Sequence, residues 1–267
     1  MVSGPSVSVL NLNVWNISEP LEQRMSLLVA GITALKPDII CFQEISPHPK
    51  LLRPQSEIVA QACGIAHHRY AATREREGRE EGLAILSRFP LANPTSLPLP
   101  AFPDDEARQV FICETDIESH RVLIANTHLA SPLKMIRERE LQATSLNCAI
   151  REHRRQASAA SVILCGDFND EADSPAVQAV LGGGRGRVDA FAARGGETPG
   201  HTFTSKNPYV DGAIWPDGRI DYLFVEGELE PVSCRIVFDG RAGLEIASDH
   251  FGLFCTLRFS GKDEART

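Results

Sequence analysis

The sequence lacks a surplus of positive charge: 27 Lys and Arg stand against 35 Asp and Glu, a formal net charge of −8. Proteins that grip duplex nucleic acid usually carry a basic surplus, because binding displaces counterions from the phosphates. The balance weighs against tight duplex binding. No apolar run approaches the ~18 residues of a membrane-spanning helix. The opening MVSGPSVSVLNLNVW lacks the basic segment of a secretory leader and turns polar at Asn11 and Asn13, so it reads as a strand. The seven cysteines are odd in number and include no C-x-x-C pair. Thiolate zinc is disfavoured, and buried free thiols in a reducing cytoplasm are expected. There is no repeat, heptad pattern, low-complexity tract or linker rich in Pro or Gly. One domain over 1–267 is expected, with a core from about 6 to 259. The sequence leaves the oligomeric state open.

What is present is a succession of apolar strands. Residues 6–15 read as a strand; Leu21, Met25, Leu28, Ile32 and Leu35 form a helical stripe, capped by Ser18 and ended at Lys36-Pro37. DIICFQ (38–43) is a buried strand, so the chain opens β-α-β. A short helix with Pro54 at its first position runs to Gly64. Strands follow at 82–87, 109–117 and 121–127, then a longer helix behind Ser131-Pro132, and a strand at 161–165. The Pro-rich stretch 92–105 is expected to be a surface lip and 182–218 a loop. Strands resume at 220–225, 232–238 and 252–259. About ten strands with few helices suggest two packed sheets with helices outside.

Polar clusters sit at the ends of these strands. They are Asn11-x-Asn13, Gln43-Glu44, Glu81, Asn126-Thr127-His128, Asp167-Phe168-Asn169, Arg219-Ile220-Asp221 and Ser248-Asp249-His250. A buried polar group without a partner costs free energy. Any one cluster is most simply a satisfied turn or core residue; so many point to a shared site. A hard cation wants oxygen ligands, which suits Glu44, with Asn13 and Asp249 nearby. Asp167 is the candidate base for water and Asn169 its orienter. His128 and His250 can offset charge on phosphoryl oxygens. Oxygen ligands without thiolates favour Mg²⁺, with Mn²⁺ as the alternative.

The order N-x-N, Q-E, E-G-L-A-I-L-S-R, N-T-H-L, G-D-F-N, R-I-D-Y, S-D-H resembles the endonuclease/exonuclease/phosphatase superfamily, from Asn11 to Leu257. The resemblance implies an α/β fold, a four-layer α/β/β/α sandwich. It places Asn13, Glu44 and Asp249 at the metal and Asp167 and Asn169 at the attacking water. It puts His250, held by Asp221, on the phosphate. His128 is then a second phosphate-side histidine, as in the DNase I-like branch, supported by Glu81 or the adjacent Glu80. Residues 201–222 are also similar to the corresponding stretch of neutral sphingomyelinases.

These readings imply a metal-dependent phosphoesterase. A DNA or RNA nuclease and a lipid phosphodiesterase are the alternatives. A small or lipid-like phosphate ester is favoured over duplex nucleic acid, on net charge and on Tyr209 and Trp215 in the loop before Asp221, with Asn11 as a further substrate contact. GDFND hints at a calcineurin-like phosphatase, but the D-x-H and G-N-H-E/D motifs of that class are missing. A non-enzymatic scaffold would be signalled by loss of Glu44, Asp167 or His250, and all three are present. Gly182-Gly183-Gly184 lacks the G-K-[ST] of a P-loop and reads as a flexible loop.

Overall fold

The alternation within the first strand sets the plan of the whole molecule. In β1 (Ser6–Asn13), Val7 and Val9 point to one side and Leu10 and Leu12 to the other, and all four are buried. A strand apolar on both faces must be covered on both faces. A computed structural model, describing residues 4–76, 79–196, 198–210 and 216–260, shows how. Helix α1 (Leu21–Leu35) covers one face with Leu21, Met25, Leu28 and Ile32, and ends at Lys36 in a left-handed conformation ahead of Pro37. Strand β2 (Ile39–Ile45) returns parallel to β1, with Asn13 beside Gln43. Helix α2 (Gln55–Cys63) ends at Gly64, whose φ of 66° suits a residue without a Cβ. Strands β3 (His67–Arg76) and β4 (Arg79–Ser87) extend the sheet beyond β2.

The second sheet repeats this logic. Strands β5 (Ala92–Pro98), β6 (Gln109–Ile117) and β7 (His120–His128) lie antiparallel in sequence order. Helix α3 (Ile136–Ala157) then crosses to β8 (Ser161–Asp167), which runs parallel to β7. Helix α4 (Pro175–Gly183), the short β9 (Val188–Asp189) and α5 (Ala190–Arg194) lead to β10 (Asp221–Glu226), antiparallel to β8. Strands β11 (Leu229–Val237) and β12 (Gly252–Phe259) return to the first sheet, β12 against β1. The two six-stranded sheets have the orders β11-β12-β1-β2-β4-β3 and β5-β6-β7-β8-β10-β9. Each holds one parallel pair joined by a crossover helix.

Three apolar layers bind this together. Val9, Ile85, Ile124 and Leu223 lie between the sheets. Leu12, Leu28 and Phe42 lie under α1 and α2. Leu146, Leu164 and Val177 lie under α3 and α4. The architecture is the expected four-layer α/β/β/α sandwich.

Several local expectations are corrected. The stretch 92–105 contains strand β5, an edge strand that tolerates Pro94 because one side needs no partner. Residues 182–218 are not all loop: Gly182 and Gly183 finish α4, and β9 and α5 follow. Ser18 does not cap α1; its hydroxyl bonds Asn16 Oδ1, and Glu19 accepts from the Leu21 N–H instead. Ser131 does not cap α3, which starts at Ile136; its Oγ accepts from Arg108. Cys234 and Cys255, opposite each other on β11 and β12, form a disulfide, so not every cysteine is free. Cys41, Cys113 and Cys165 are buried free thiols as expected. Among the described residues, no helix is long and apolar enough to cross a membrane.

Candidate active site

The strand parity that buries Val9, Cys41 and Ile124 between the sheets also points Asn11, Gln43 and Asn126 into that layer, one step further along each strand. The three amides close over the apolar core. Gln43 Nε2 donates to Asn11 Oδ1 at 2.8 Å and to Asn126 Oδ1 at 2.7 Å. Asn126 Nδ2 reaches the carbonyls of Phe42 and Ala84, and Asn11 Nδ2 those of Gly166 and Tyr222. This amide layer ties one sheet to the other. Asn11 is fully buried in it, which corrects its assignment as a substrate contact.

One step beyond the amides, the candidate side chains converge at the ends of the two parallel pairs. Asp167, at the end of β8, is almost completely buried. Its Oδ2 is the meeting point: Asn13 Nδ2 lies 3.0 Å away, His128 Nε2 3.5 Å and His250 Nε2 3.8 Å. Its Oδ1 accepts from the Asn169 N–H, while Asn169 Nδ2 donates to the Leu129 carbonyl. Burial raises the Asp167 carboxyl, Asp221 raises it further, and His250, Asn13 and Asn169 only partly offset this, leaving it at about 7. Asp221 holds His250 through Nδ1 at 2.8 Å. Burial alone would discharge that imidazole, but Asp221, Asp167 and Asp249 together hold it charged, well above the ordinary range. The Asp167, Asp221 and His250 ligand atoms all lie within 4.8 Å of one another.

A second set of oxygens lies on the other side of Asn13. Asn13 Nδ2 also donates to Glu44 Oε1 at 3.1 Å. It thus presents its amide nitrogen to both carboxylates, and its Oδ1 accepts from the Trp15 N–H. Asp249 follows Ser248, whose Oγ donates to the Asn13 carbonyl at 2.7 Å and lies 3.2 Å from Asp249 Oδ1. Burial and the neighbouring Glu44 push Asp249 up to about 7 against the pull of His250. Strand parity would send Glu44 toward α1; a bulge between Phe42 and Ile45, with Glu44 at φ 55°, turns it to the site.

Glu81 is buried and lines one small pocket with Glu44 and His128, whereas Glu80 is exposed. Sequence reading missed two partners here. Asn16 bridges Glu44 Oε2 at 3.2 Å and Glu81 Oε2 at 3.4 Å, and Arg74 pairs with Glu81 and Glu106. Asn16 was visible as a third asparagine after Asn11 and Asn13; Arg74 carried no signal. Tyr209 is half-buried and its ring lies 5.4 Å from Trp15, another residue not foreseen. Trp215 lies outside the described residues.

Two buried arginines fix the loops that carry these groups. Arg24 and Arg139 are each the fourth residue of a crossover helix. Arg24 donates to the carbonyls of Val14, Trp15, Asn16, Ser18 and Ala247. Arg139 donates to those of Ala130, Pro132 and Leu133 and to Asp170. Both guanidiniums replace the water that loop carbonyls would otherwise require.

The model of the Endonuclease/Exonuclease/phosphatase family matches residues 10–250, a span that includes every cluster above. The chain belongs to this family. Members of the family are as a rule hydrolases of phosphate esters. Protein angel homolog 2 of Mus musculus is 26% identical over 199 residues, which are 67% of this chain and 34% of that protein. The chain thus spans about a third of the length of that relative. Among solved structures, truncated Caenorhabditis elegans TDP2 superposes with a TM-score of 0.77 at 23% identity, over 97% of this chain and all of that one. The human Nocturnin catalytic domain, with a bound sulfate anion, does so with a TM-score of 0.76 at 19% identity, over 97% of each. These likenesses carry the fold.

Proposed function

We propose that this chain is a Mg²⁺-dependent phosphodiesterase, with Mn²⁺ able to substitute. The observation that carries the reading is the convergence on Asp167 Oδ2 of one amide and two imidazoles, at 3.0–3.8 Å. The donor set fits a hard cation. Glu44, Asp249 and Asp167 are oxygen donors crowded on one wall, and two of them sit at about 7 because burial and like charge oppose ionisation. Bound there, Mg²⁺ supplies charge against the phosphoryl and leaving oxygens. Glu44 and Asp249 would hold it, with Asn13 setting their spacing.

The chain's own groups supply the rest. Asp167 takes the proton from water as its oxygen attacks phosphorus; the ester P–O bond opposite breaks, and the departing oxygen takes a proton from solvent. Asn169 keeps Asp167 Oδ1 in place through its backbone N–H. His250, kept charged by Asp221, donates to a phosphoryl oxygen, and His128 does so from the other side. Glu81, fixed by Arg74 and Asn16, forms the wall behind His128.

The substrate favoured is a small or lipid-like phosphodiester. The net charge of −8 disfavours a long phosphate backbone, and the Trp15–Tyr209 pair gives an aromatic surface beside Asn13. The test compares kcat/KM for small phosphodiesters, sphingomyelin, single-stranded RNA and plasmid DNA, each with Mg²⁺ and at low and high salt. The reading expects small diesters or lipid to lead, and Trp15→Ala to raise KM for them. Efficient plasmid nicking that falls steeply with salt would contradict it.

A further inference from the structure

At the far end of the second sheet lies a cleft that the hydrolytic reading does not use. Strand β10 begins at Asp221 in the site and ends at Glu226; five residues at about 3.3 Å each separate the two by about 17 Å. Around Glu226 is a cleft of about 740 Å³, within the range of small-molecule sites. Five arginines line it: Arg151, Arg154 and Arg155 from the last turns of α3, and Arg185 and Arg187 from the turn after α4. Its carboxylates are Glu152 and Glu226 alone, so the lining carries three net positive charges in a protein of charge −8.

The carboxylates are already committed. Glu226 is shared by Arg154 and Arg187, and Glu152 pairs with Arg155 at 2.8 Å. Among the described residues, Arg151 and Arg185 have no carboxylate partner. Arg187 is buried to 8% exposure, yet its Nε has no hydrogen-bond acceptor. Arg151 and Arg154 are near enough to press on its charge. Five guanidiniums sharing two carboxylates are held together unfavourably unless a further anion joins them. One wall is the glycine turn: a Cβ on Gly183 would lie 2.1 Å from Asn147 Nδ2, and one on Gly184 2.5 Å from Glu226 Oε2. These glycines bring the arginine-bearing turn against α3.

We propose that this cleft is a second anion site that takes a diphosphate group, free or on a nucleoside. Guanidinium forks match phosphate oxygens bidentately, and a diphosphate offers about the three negative charges the lining lacks. The ligand is bound and not hydrolysed there, since the carboxylates that line the cleft among the described residues, Glu152 and Glu226, are both held by arginines.

The test is calorimetric titration of the full chain with pyrophosphate and with ADP, in EDTA. Wild type should bind both, and Arg151→Ala/Arg185→Ala should lose at least about tenfold in affinity while hydrolysing its substrate normally. His128→Ala/His250→Ala should keep the same affinity. Tighter ADP than pyrophosphate binding assigns the nucleoside form, and equal affinity the free diphosphate. No binding by wild type, loss only in the histidine variant, or affinity that rises with the length of a single-stranded oligonucleotide would each overturn the proposal. Both arginines are exposed side chains, so the variant should fold, and circular dichroism checks this.

Discussion

Asp167 works because of what surrounds one oxygen. Burial and the neighbouring Asp221 raise the basicity of its carboxylate, while one amide and two imidazoles fix its direction at some cost to that basicity. Replacing it with Asn removes the base but keeps the shape; kcat should fall roughly 10²–10⁴-fold with the fold intact. Near-normal turnover would reject the role. Asp221 and His250 should behave as one unit, so the double variant should lose little more than the worse single one. Additive losses in log rate would mean they act separately. The buried carboxyls also predict a pH effect. Asp167 and Asp249 sit at about 7, against an ordinary value of 3.8, so the folded protein holds their protons more tightly than the unfolded chain does. Without a cation, these groups lower stability as pH rises from about 4 to about 7. Mg²⁺ should therefore raise Tm more at about pH 8 than at about pH 5. Equal shifts at both would argue against binding at these carboxyls. Sequence alone named Asp167, His128, His250 and Asp221 and brought them to one place. It misplaced Asn11, because strand alternation does not show how deep along the strand the apolar layer ends. It could not show why Glu44 faces the site, because the bulge that turns it is a backbone event.

At the scale of elements, each crossover helix does two jobs. Its apolar stripe covers a sheet, and its fourth residue is an arginine that holds the loop behind a parallel strand. Arg24→Met should leave loop carbonyls unpaired, at about 1–3 kcal/mol for each that water cannot reach. A Tm loss of several degrees is expected from differential scanning calorimetry. Arg24→Lys should recover little, since one ammonium has three donors and no planar fork. No change in Tm would show that the loop stands without it. The central strands and α1 were legible because their periodicity is strong. Strand β3, HHRYAATRER, was not, because an edge strand with one partner needs little apolar alternation. Strand β5 was hidden by its prolines, and the helix after β7, though legible, was started too early at Ser131, whose hydroxyl serves Arg108 instead of a helix end.

For the whole molecule, the acidic balance has a local meaning. Glu44, Glu81, Asp167, Asp221 and Asp249 gather at one end of the sandwich, where a cation and two histidines would oppose them, while unpaired arginines gather at the other. The net charge of −8 therefore weighs against a long phosphate backbone at the site end and does not describe the basic cleft at the other. The central claim is that the cluster around Asp167 hydrolyses a phosphate ester with a hard cation. The most direct measurement is phosphodiester hydrolysis by chelator-stripped wild type and Asp167→Asn as Mg²⁺ is titrated in. The account predicts no turnover in EDTA, saturable recovery of wild type by Mg²⁺ or Mn²⁺, and no comparable recovery of the variant at any concentration. Full activity in chelator, rescue by Zn²⁺ alone, or a variant that recovers with wild type would contradict it.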